Sequence, residues 1–262
     1  MNGFKAAMWA EILKARRSKL WVLILIGFSI LPLVSGLFMV ILKDPVAAKE
    51  MGIISMKAQL TAGTADWPSM LGMLAMGTSV AGHILYAIFT AWVFGREFSN
   101  RTNKELLALP VARTTIVWAK FVLIFSWTFA IALYIYFFGL FVGWLVELPG
   151  WSLEIALKAF KTLMIASMLT AFLQSWVAFF ASYGRGYLPA MGWAFFTLAL
   201  AQILAVMGWG EWIPWSVPAI LTEMSGPLAE PLGSGSYLSV ILVSFVGVAA
   251  TLRWWQRADQ SS

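Results

Sequence analysis

The polar stretch Gly95-Arg-Glu-Phe-Ser-Asn-Arg-Thr-Asn-Lys-Glu-Leu-Leu-Ala-Leu-Pro-Val-Ala-Arg-Thr-Thr115 separates two long apolar runs of the chain. It carries the sequence features of a short capped helix. Thr102 followed three residues later by Glu105 is typical of a capping box, and Pro110 ends the helix. A connection between two membrane spans needs only a turn. A capped helix at this place therefore predicts a surface for another protein.

The composition indicates the class of protein. Hydrophobic residues make up 61% of the chain and charged residues 11%, against about 25% charged residues in soluble domains. Six apolar segments are each long enough to cross a bilayer as a helix. The expected fold is an all-α polytopic membrane protein, one domain over residues 1–262, with spans at 20–42, 68–94, 121–146, 162–183, 187–209 and 237–252.

Two further segments have the features of helices at a membrane surface. Residues 1–19 are basic and carry apolar residues at roughly helical spacing, which predicts an interfacial helix lying on the membrane. Residues 210–236 contain three glutamates and four prolines but neither Lys nor Arg. Because the residues between these prolines are too apolar for a solvated loop, we expect one or two re-entrant helices at the membrane edge.

The distribution of charge predicts the orientation. With the amino terminus in the cytoplasm, six spans return the carboxyl terminus to the cytoplasm. The inner segments then hold most of the 18 Lys and Arg residues, and the outer segments hold most of the 12 Asp and Glu residues. Topology thus explains the net charge of +6 without nucleic-acid binding. We expect a multi-pass protein of a prokaryotic plasma (inner) membrane with both termini cytoplasmic.

Several kinds of chemistry are not expected. The sequence contains no G-x-x-x-x-G-K-S/T motif for nucleotide phosphates, no cysteine, one histidine and no H-E-x-x-H motif. We therefore expect no catalytic residue, no cofactor in this chain and no metal site. No ionisable residue lies well inside a predicted span, which argues against a proton- or sodium-coupled carrier, although backbone carbonyls could bind sodium instead. A pathway lined by Met, Phe, Trp, Ser and Thr would suit an amphipathic or apolar substrate, but lipid contact and helix packing explain most of these residues.

Polar residues within the predicted spans have simple interpretations. His83 has no carboxylate partner in the sequence pattern, so we expect it to hydrogen-bond a neighbouring helix and not to form a site. Thr170, Gln174 and Gln202 are interpreted in the same way. The pair Arg96–Glu97 has two open interpretations, an interface ion pair or a part that transmits motion from the capped helix.

Two motifs resemble those of a known family. Glu11-x-x-Lys14-x-Arg16-Arg17-Ser18 is similar to the segment before the first span of type 2 ATP-binding-cassette (ABC) exporter permeases. Phe94-Gly-Arg-Glu-Phe-x-x-Arg-Thr-x-Lys-x-Leu-Leu-Ala-Leu-Pro-x-x-Arg-x-x-Ile-x-x-Ala-Lys120 is the stronger match and resembles permeases of the bacitracin and lantibiotic self-protection kind. Six spans and an apolar segment before the last one agree with this resemblance.

The resemblance implies a half-transporter, in which two permeases pair above two separate ABC ATPase subunits that bind ATP and Mg. Residues 1–17 would then be the interfacial connecting helix, with Glu11, Lys14, Arg16 and Arg17. The segment 95–115 would be the coupling segment docked in an ATPase cleft, through Arg96, Glu97, Arg101, Thr102, Lys104, Glu105 and Leu106. The re-entrant segment would be the outer gate, with Trp212, Trp215 and Pro218. The first, second and fifth spans would line the pathway.

The function expected from these observations is ATP-driven export of an antibiotic peptide, drug or lipid-like molecule by alternating access. The permease would form a homodimer or pair with a paralogue, and it would not itself be an enzyme. Three rival classes stay open: an ion-coupled secondary transporter, a membrane enzyme or immunity factor acting alone, and a non-transporting receptor or scaffold. Glu97→Arg, or a proline at Lys104, is predicted to uncouple ATP hydrolysis from export without loss of insertion or dimerisation.

Overall fold

A computed structural model describes residues 3–44, 64–100, 102, 111–223 and 232–257. Within these ranges the chain is all-helical and has no strand. Its α-helices are α1 (Gly3–Arg17), α2 (Leu20–Lys43), α3 (Trp67–Ser99), α4 (Arg113–Leu145), α5 (Leu153–Tyr183), α6 (Tyr187–Val206), α7 (Val217–Glu223) and α8 (Ser234–Arg257), with a short 3-10 helix at Gly210–Trp212. Six of them, α2 to α6 and α8, are long and apolar enough to cross a membrane. The prediction of six spans is confirmed.

Four of these helices, α3, α4, α5 and α8, are each at least six residues longer than the sequence pattern predicted. α3 and α4 have 33 residues each, about 50 Å at 1.5 Å per residue, whereas the hydrocarbon core of a bilayer is about 30 Å thick. α4 begins at Arg113 and not at residue 121, and α5 begins at Leu153 and not at 162. The predicted ends followed the apolar runs, but the helices continue into polar residues, and some of these extensions are capped by a side chain. Ser152, for example, accepts a hydrogen bond from the backbone N–H of Ile155.

The centre of the bundle is the contact between α3 and α5, the most extensive one between any two helices of the described ranges. α2 packs on α3 and α4, α6 packs on α3 and α5, and α8 lies against α5. Glycines allow several of these approaches. A Cβ at Gly139 of α4 would lie 2.3 Å from Leu74 Cδ2 of α3. Close helix contact of this kind is the usual basis of packing in membranes, where burial of apolar surface gives no advantage over lipid.

α1 packs along the beginning of α4 and is the only element before the first span that the structure describes. The side of α1 that faces the bundle is not uniformly apolar. Phe4 and Trp9 are exposed, while Glu11 is buried. The predicted helix is therefore present, and its predicted position on the membrane surface stays a prediction. The same holds for the predicted re-entrant segment, of which residues 224–231 lie outside the described ranges.

Candidate functional site

Five charged side chains meet where α1, the last turn of α3 and the third turn of α4 come together. We call this set the ionic cluster, and its members are Glu11, Lys14, Arg96, Glu97 and Lys120. Its residues come from positions up to 109 residues apart in the sequence. The cluster lies at the two ends of the segment 101–110, because α3 ends just before that segment and α4 begins just after it.

Glu11 is the acceptor that connects α1 to both other helices. Its Oε2 lies 2.5 Å from Arg96 Nη2 and 3.2 Å from Lys120 Nζ, and its Oε1 lies 3.2 Å from Lys14 Nζ. Glu11 is only 1% exposed. Burial alone would raise the pKa of its carboxyl, but Lys120, Arg96 and Lys14 together hold that pKa below its ordinary value. The carboxylate is thus charged and is held in place by cations from three helices.

Glu97 is the second carboxylate of the ionic cluster. Its Oε1 lies 2.8 Å from Lys14 Nζ, 3.2 Å from Lys120 Nζ and 3.3 Å from Arg96 Nε. Its Oε2 accepts a hydrogen bond of 2.9 Å from the hydroxyl of Thr102, and the Thr102 N–H donates to the Glu97 backbone oxygen at 2.9 Å. The chain beyond α3 is therefore fastened back to the cluster as it leaves the helix.

Lys120 is the most deeply buried member, with no exposed surface. Besides its two carboxylate contacts, its Nζ donates to the backbone oxygen of Val93 at 2.8 Å. A buried ammonium is tolerated only when it is paired and hydrogen-bonded, and these three acceptors meet that requirement. One atom of α4 is thus tied to both α1 and α3.

The ionic cluster contains three cations and two carboxylates, so it carries one positive charge in excess. Part of the excess is accommodated by Trp92, because the guanidinium carbon of Arg96 lies 4.2 Å from the centroid of that ring. The Nη1 atom of Arg96 is buried and has no hydrogen-bond partner within the described ranges. Loss of a carboxylate would add to the excess charge, whereas loss of a cation would remove it.

Two further contacts between helices lie at the same end of the bundle as the ionic cluster. A Cβ at Gly95 would lie 3.1 Å from the backbone carbon of Gly186, so the turn between α5 and α6 packs directly on the backbone of α3. Arg113, the first residue of α4, donates to carbonyl oxygens at the end of α8, the nearer being that of Trp255 at 3.3 Å. The ends of α3, α4, α6 and α8 therefore form one contact region.

Two residues of the predicted coupling surface are buried in the structure, and their coupling role stays a prediction. Arg96 and Glu97 are 5% and 3% exposed, so neither is available to dock directly into a partner. Their ion pairs are with other members of the ionic cluster, and both interpretations of this pair stay open. Arg101, Lys104, Glu105 and Leu106 lie outside the described ranges, and their predicted roles stay predictions, as does the Thr102–Glu105 capping box.

The residues predicted for the interfacial helix are divided between two environments. Arg16 and Arg17 are exposed, while Glu11 is buried and Lys14 is half-buried in the ionic cluster. The motif that drew attention to these four residues therefore contains two internal contacts and two surface cations.

Lys120 was not predicted as a site residue. The predicted span began at residue 121, so Lys120 was interpreted as one of the basic residues outside the membrane. Its burial depends on the early start of α4 and on the approach of α1, neither of which is visible in local composition. The signal that could have found it is its place at the end of the motif that begins at Phe94.

His83 makes the interhelical contact expected of it. Its Nε2 lies 3.2 Å from the backbone oxygen of Ala194 and 3.2 Å from Thr197 Oγ1, both in α6. Gln174 of α5 donates to the His83 backbone oxygen at 3.2 Å. Thr170 differs from the expectation, because its hydroxyl donates to Ala166 within α5 and does not join two helices.

The residues predicted for the outer gate lie in the 3-10 helix, in the link after it and in the first turn of α7. Trp212 is 79% exposed in the 3-10 helix, and Trp215 packs its ring 5.7 Å from that of Trp193 in α6. Pro218 is buried in the first turn of α7. α7 lies on α3 and α5. Within the described ranges, no group of three or more His, Cys, Asp or Glu residues could hold a metal ion.

Six long apolar helices with an ionic cluster at one end define a polytopic membrane protein. A sequence profile described as ABC-2 family transporter protein matches residues 7–201. The chain therefore belongs to the ABC-2 transporter family and is a transmembrane, non-enzymatic subunit of an ABC transporter. It is 28% identical over 179 residues to the bacitracin transport permease protein BCRB of Bacillus licheniformis, and the matched region covers 67% of this chain and 84% of that protein. Membership of the family implies an ABC ATPase partner.

Proposed function

We propose that this permease exports an amphipathic or hydrophobic compound, such as an antibiotic peptide, using ATP hydrolysed by a separate subunit. The ATPase would bind the segment 101–110, and the ionic cluster would carry the resulting movement to the spans. Two permease copies, or this chain and a paralogue, would form the pathway. In the orientation predicted from the distribution of charge, both termini and the ionic cluster are cytoplasmic.

The observation that supports this mechanism is the position of the ionic cluster on both sides of the segment 101–110. Glu97 and Thr102 hold the side that leaves α3, and Lys120 holds the side that enters α4. Because the same cluster contains Glu11, a force on the segment would move α1, α3 and α4 together. ATPase closure would thus tilt a connected unit, and the far end of that unit would open the pathway to the outside.

The substrate class is proposed from two sources. The similar protein of Bacillus licheniformis is described as a bacitracin transport permease, which favours a peptide antibiotic. The described spans contain apolar and hydroxyl side chains, with the charged ones concentrated at their ends. Such a pathway suits a bulky amphipathic molecule better than a small ion.

The test uses the permease reconstituted in proteoliposomes with its ATPase, and it measures export of bacitracin and ATP hydrolysis together. Lys120→Met should leave insertion and ATPase binding intact but lower export per ATP severalfold, since α4 is then released from Glu11 and Glu97. Lys5→Met, which removes an exposed cation from α1, is the matched control and should leave that ratio unchanged.

The outcomes separate the rival classes. Export that continues in proteoliposomes depleted of ATP and driven by an ion gradient would identify a secondary transporter. ATPase binding without any export of amphipathic compounds would favour a receptor or scaffold. A Lys120→Met variant with an unchanged ratio of export to hydrolysis would refute the role of the ionic cluster.

The structure also changes the prediction made for Glu97→Arg. The substitution would leave Glu11 as the sole carboxylate and place a fourth cation beside Lys14 and Lys120 in a buried site. We therefore expect loss of folded protein and not a specific loss of coupling, so Lys120→Met is the better probe of transmission.

A further inference from the structure

Two adjoining hollows lie at the ends of α2 and α4 that are farthest from the ionic cluster. The first, about 570 Å³, is formed where α4 passes into the turn before α5. Its rim carries three tryptophans, Trp67, Trp144 and Trp151, together with Glu147. The second, about 690 Å³, is a groove between α2 and α4. Phe141 and Glu147 line both hollows, so the two adjoin at these residues.

The first hollow has the chemistry of a site for an organic cation. The rings of Trp67 and Trp151 are edge to face with centroids 4.7 Å apart, and Trp144 and Phe141 lie 6.2 Å apart on the other side. Trp144 is 70% exposed, so its face is open to a ligand. An ammonium group within about 6 Å of such rings is attracted by their π electrons. The Glu147 carboxylate adds a full negative charge to the same hollow.

Glu147 is held in a conformation that its side chain disfavours. Its φ is +54°, at the position just beyond a helix end where glycine is the usual residue. No hydrogen bond or ion pair engages its carboxylate among the described residues. Within the described ranges, the strained Glu147 therefore lines both hollows without a partner for its charge.

The groove supplies the remaining features of an amphiphile site. Its walls are apolar along α2 and α4, for example at Leu37 and Phe138, and Lys43 stands at its end. The Lys43 ammonium donates to the backbone oxygen of Val146, next to Glu147 in the chain, but forms no ion pair with that carboxylate. A cation and an anion thus stand side by side above an apolar groove.

We propose that these hollows bind a zwitterionic phospholipid with an ammonium headgroup. The ammonium lies between Glu147 and the tryptophans, the phosphate lies at Lys43, and an acyl chain occupies the groove between α2 and α4. A phospholipid that carries a phosphate but no ammonium would satisfy Lys43 alone, and an alkylammonium detergent would satisfy Glu147 alone. This inference does not depend on the transported substrate.

The experiment uses the purified full-length protein in dodecyl maltoside after removal of lipid. Dioleoyl phosphatidylethanolamine, dioleoyl phosphatidylglycerol or dodecyltrimethylammonium is added, and lipid retention by native mass spectrometry is measured with the shift in melting temperature. We expect phosphatidylethanolamine to be retained at least severalfold better than the other two and to raise the melting temperature most. Equal retention of the two phospholipids would overturn the proposal, and so would retention of neither.

Variants locate the effect. Trp144→Leu and Glu147→Gln should each abolish the preference for phosphatidylethanolamine, whereas Trp118→Leu, which removes an exposed tryptophan near the opposite end of α4, should keep it. Lys43→Gln should reduce phosphatidylethanolamine to the level of the alkylammonium detergent. A preference that survives both Trp144→Leu and Glu147→Gln would refute the site.

Glu147→Gly should change two measurements in opposite directions, raising the melting temperature without lipid and removing the selective response to lipid. Glycine relieves the backbone strain at φ +54°, so the lipid-free variant should melt at a higher temperature than the wild type. The same variant should no longer respond selectively to phosphatidylethanolamine. A variant that melts lower without lipid, or that keeps the selective response, would contradict the proposal.

Discussion

Glu11→Gln and Lys120→Met should destabilise the protein by clearly different amounts, although both remove a buried charge of the same ion pair. Glu11→Gln leaves three cations around one carboxylate, because only Glu97 remains. Arg96 and Lys120 then lose the charged acceptor that lies 2.5 and 3.2 Å from them in the wild type. Removing one partner of a buried pair in this way costs about 3–5 kcal/mol.

Lys120→Met has a smaller expected cost. It leaves two cations and two carboxylates, so the excess charge disappears, and Glu11 keeps Arg96 while Glu97 keeps Lys14. Methionine also fills much of the volume of the lysine side chain without an ammonium to desolvate. We expect a loss of about 1–3 kcal/mol, from the hydrogen bonds that the ammonium makes in the wild type.

The double variant tests whether charge balance governs the stability of the ionic cluster. With both Glu11→Gln and Lys120→Met, the cluster again has one positive charge in excess, as in the wild type. The second substitution should therefore recover part of the stability lost in Glu11→Gln, although it destabilises the wild type.

The assay is unfolding of the permease in detergent micelles, followed by tryptophan fluorescence as a function of temperature and of added denaturing detergent. All four proteins are compared under identical conditions. Additive losses in the double variant, or a larger loss for Lys120→Met than for Glu11→Gln, would show that charge balance does not govern this site.

Two further predictions concern packing and pH. Gly95→Ala should lower the free energy of unfolding by about 1 kcal/mol or more, because its Cβ would lie 3.1 Å from the backbone of Gly186, which cannot move independently. Gly72→Ala, where no atom lies within 4 Å of the new Cβ, is the control and should be neutral or slightly stabilising in thermal unfolding. The folded-state pKa of Glu11 lies below its unfolded value of about 4.3. The ionised carboxylate therefore contributes fully to the free energy of unfolding above about pH 4.3, and this contribution is lost as the pH falls through the folded-state pKa. The difference in free energy of unfolding between wild type and Glu11→Gln should thus be constant from pH 7 to 5 and should decrease below about pH 4. A difference that already decreases near pH 6 would show that another group causes the pH dependence.

The six spans were predictable because each depends on the summed hydropathy of about twenty residues, a signal that does not require knowledge of the partners. Their ends were less predictable. α4 extends back to Arg113 because its first turns are covered by α1 and by the end of α8. The charges in those turns are satisfied inside the protein, so polarity there does not mark exposure.

The ionic cluster was only partly predictable from the sequence, for a related reason. Glu11 and Lys14 belonged to one motif and Arg96 and Glu97 to another, but their contact bridges 85 residues. Charge alone does not distinguish an internal partner from a surface residue, and here Arg16 is exposed while Glu11 is buried. The assignment required the relative position of α1, α3 and α4.

The position of Glu11 has a consequence for synthesis of the protein in the membrane. α1 is made before the other helices of the described ranges, but the cations that neutralise Glu11 from those helices arrive only with residues 96 and 120. Until residue 96 has been made, the cation that pairs with Glu11 in the folded protein and is already present is Lys14 of the same helix. The ionic cluster can therefore close only after the first turns of α4 have been made. Chains that stop before residue 120 should lack the ion pairs that join α4 to α1 and α3 at this site.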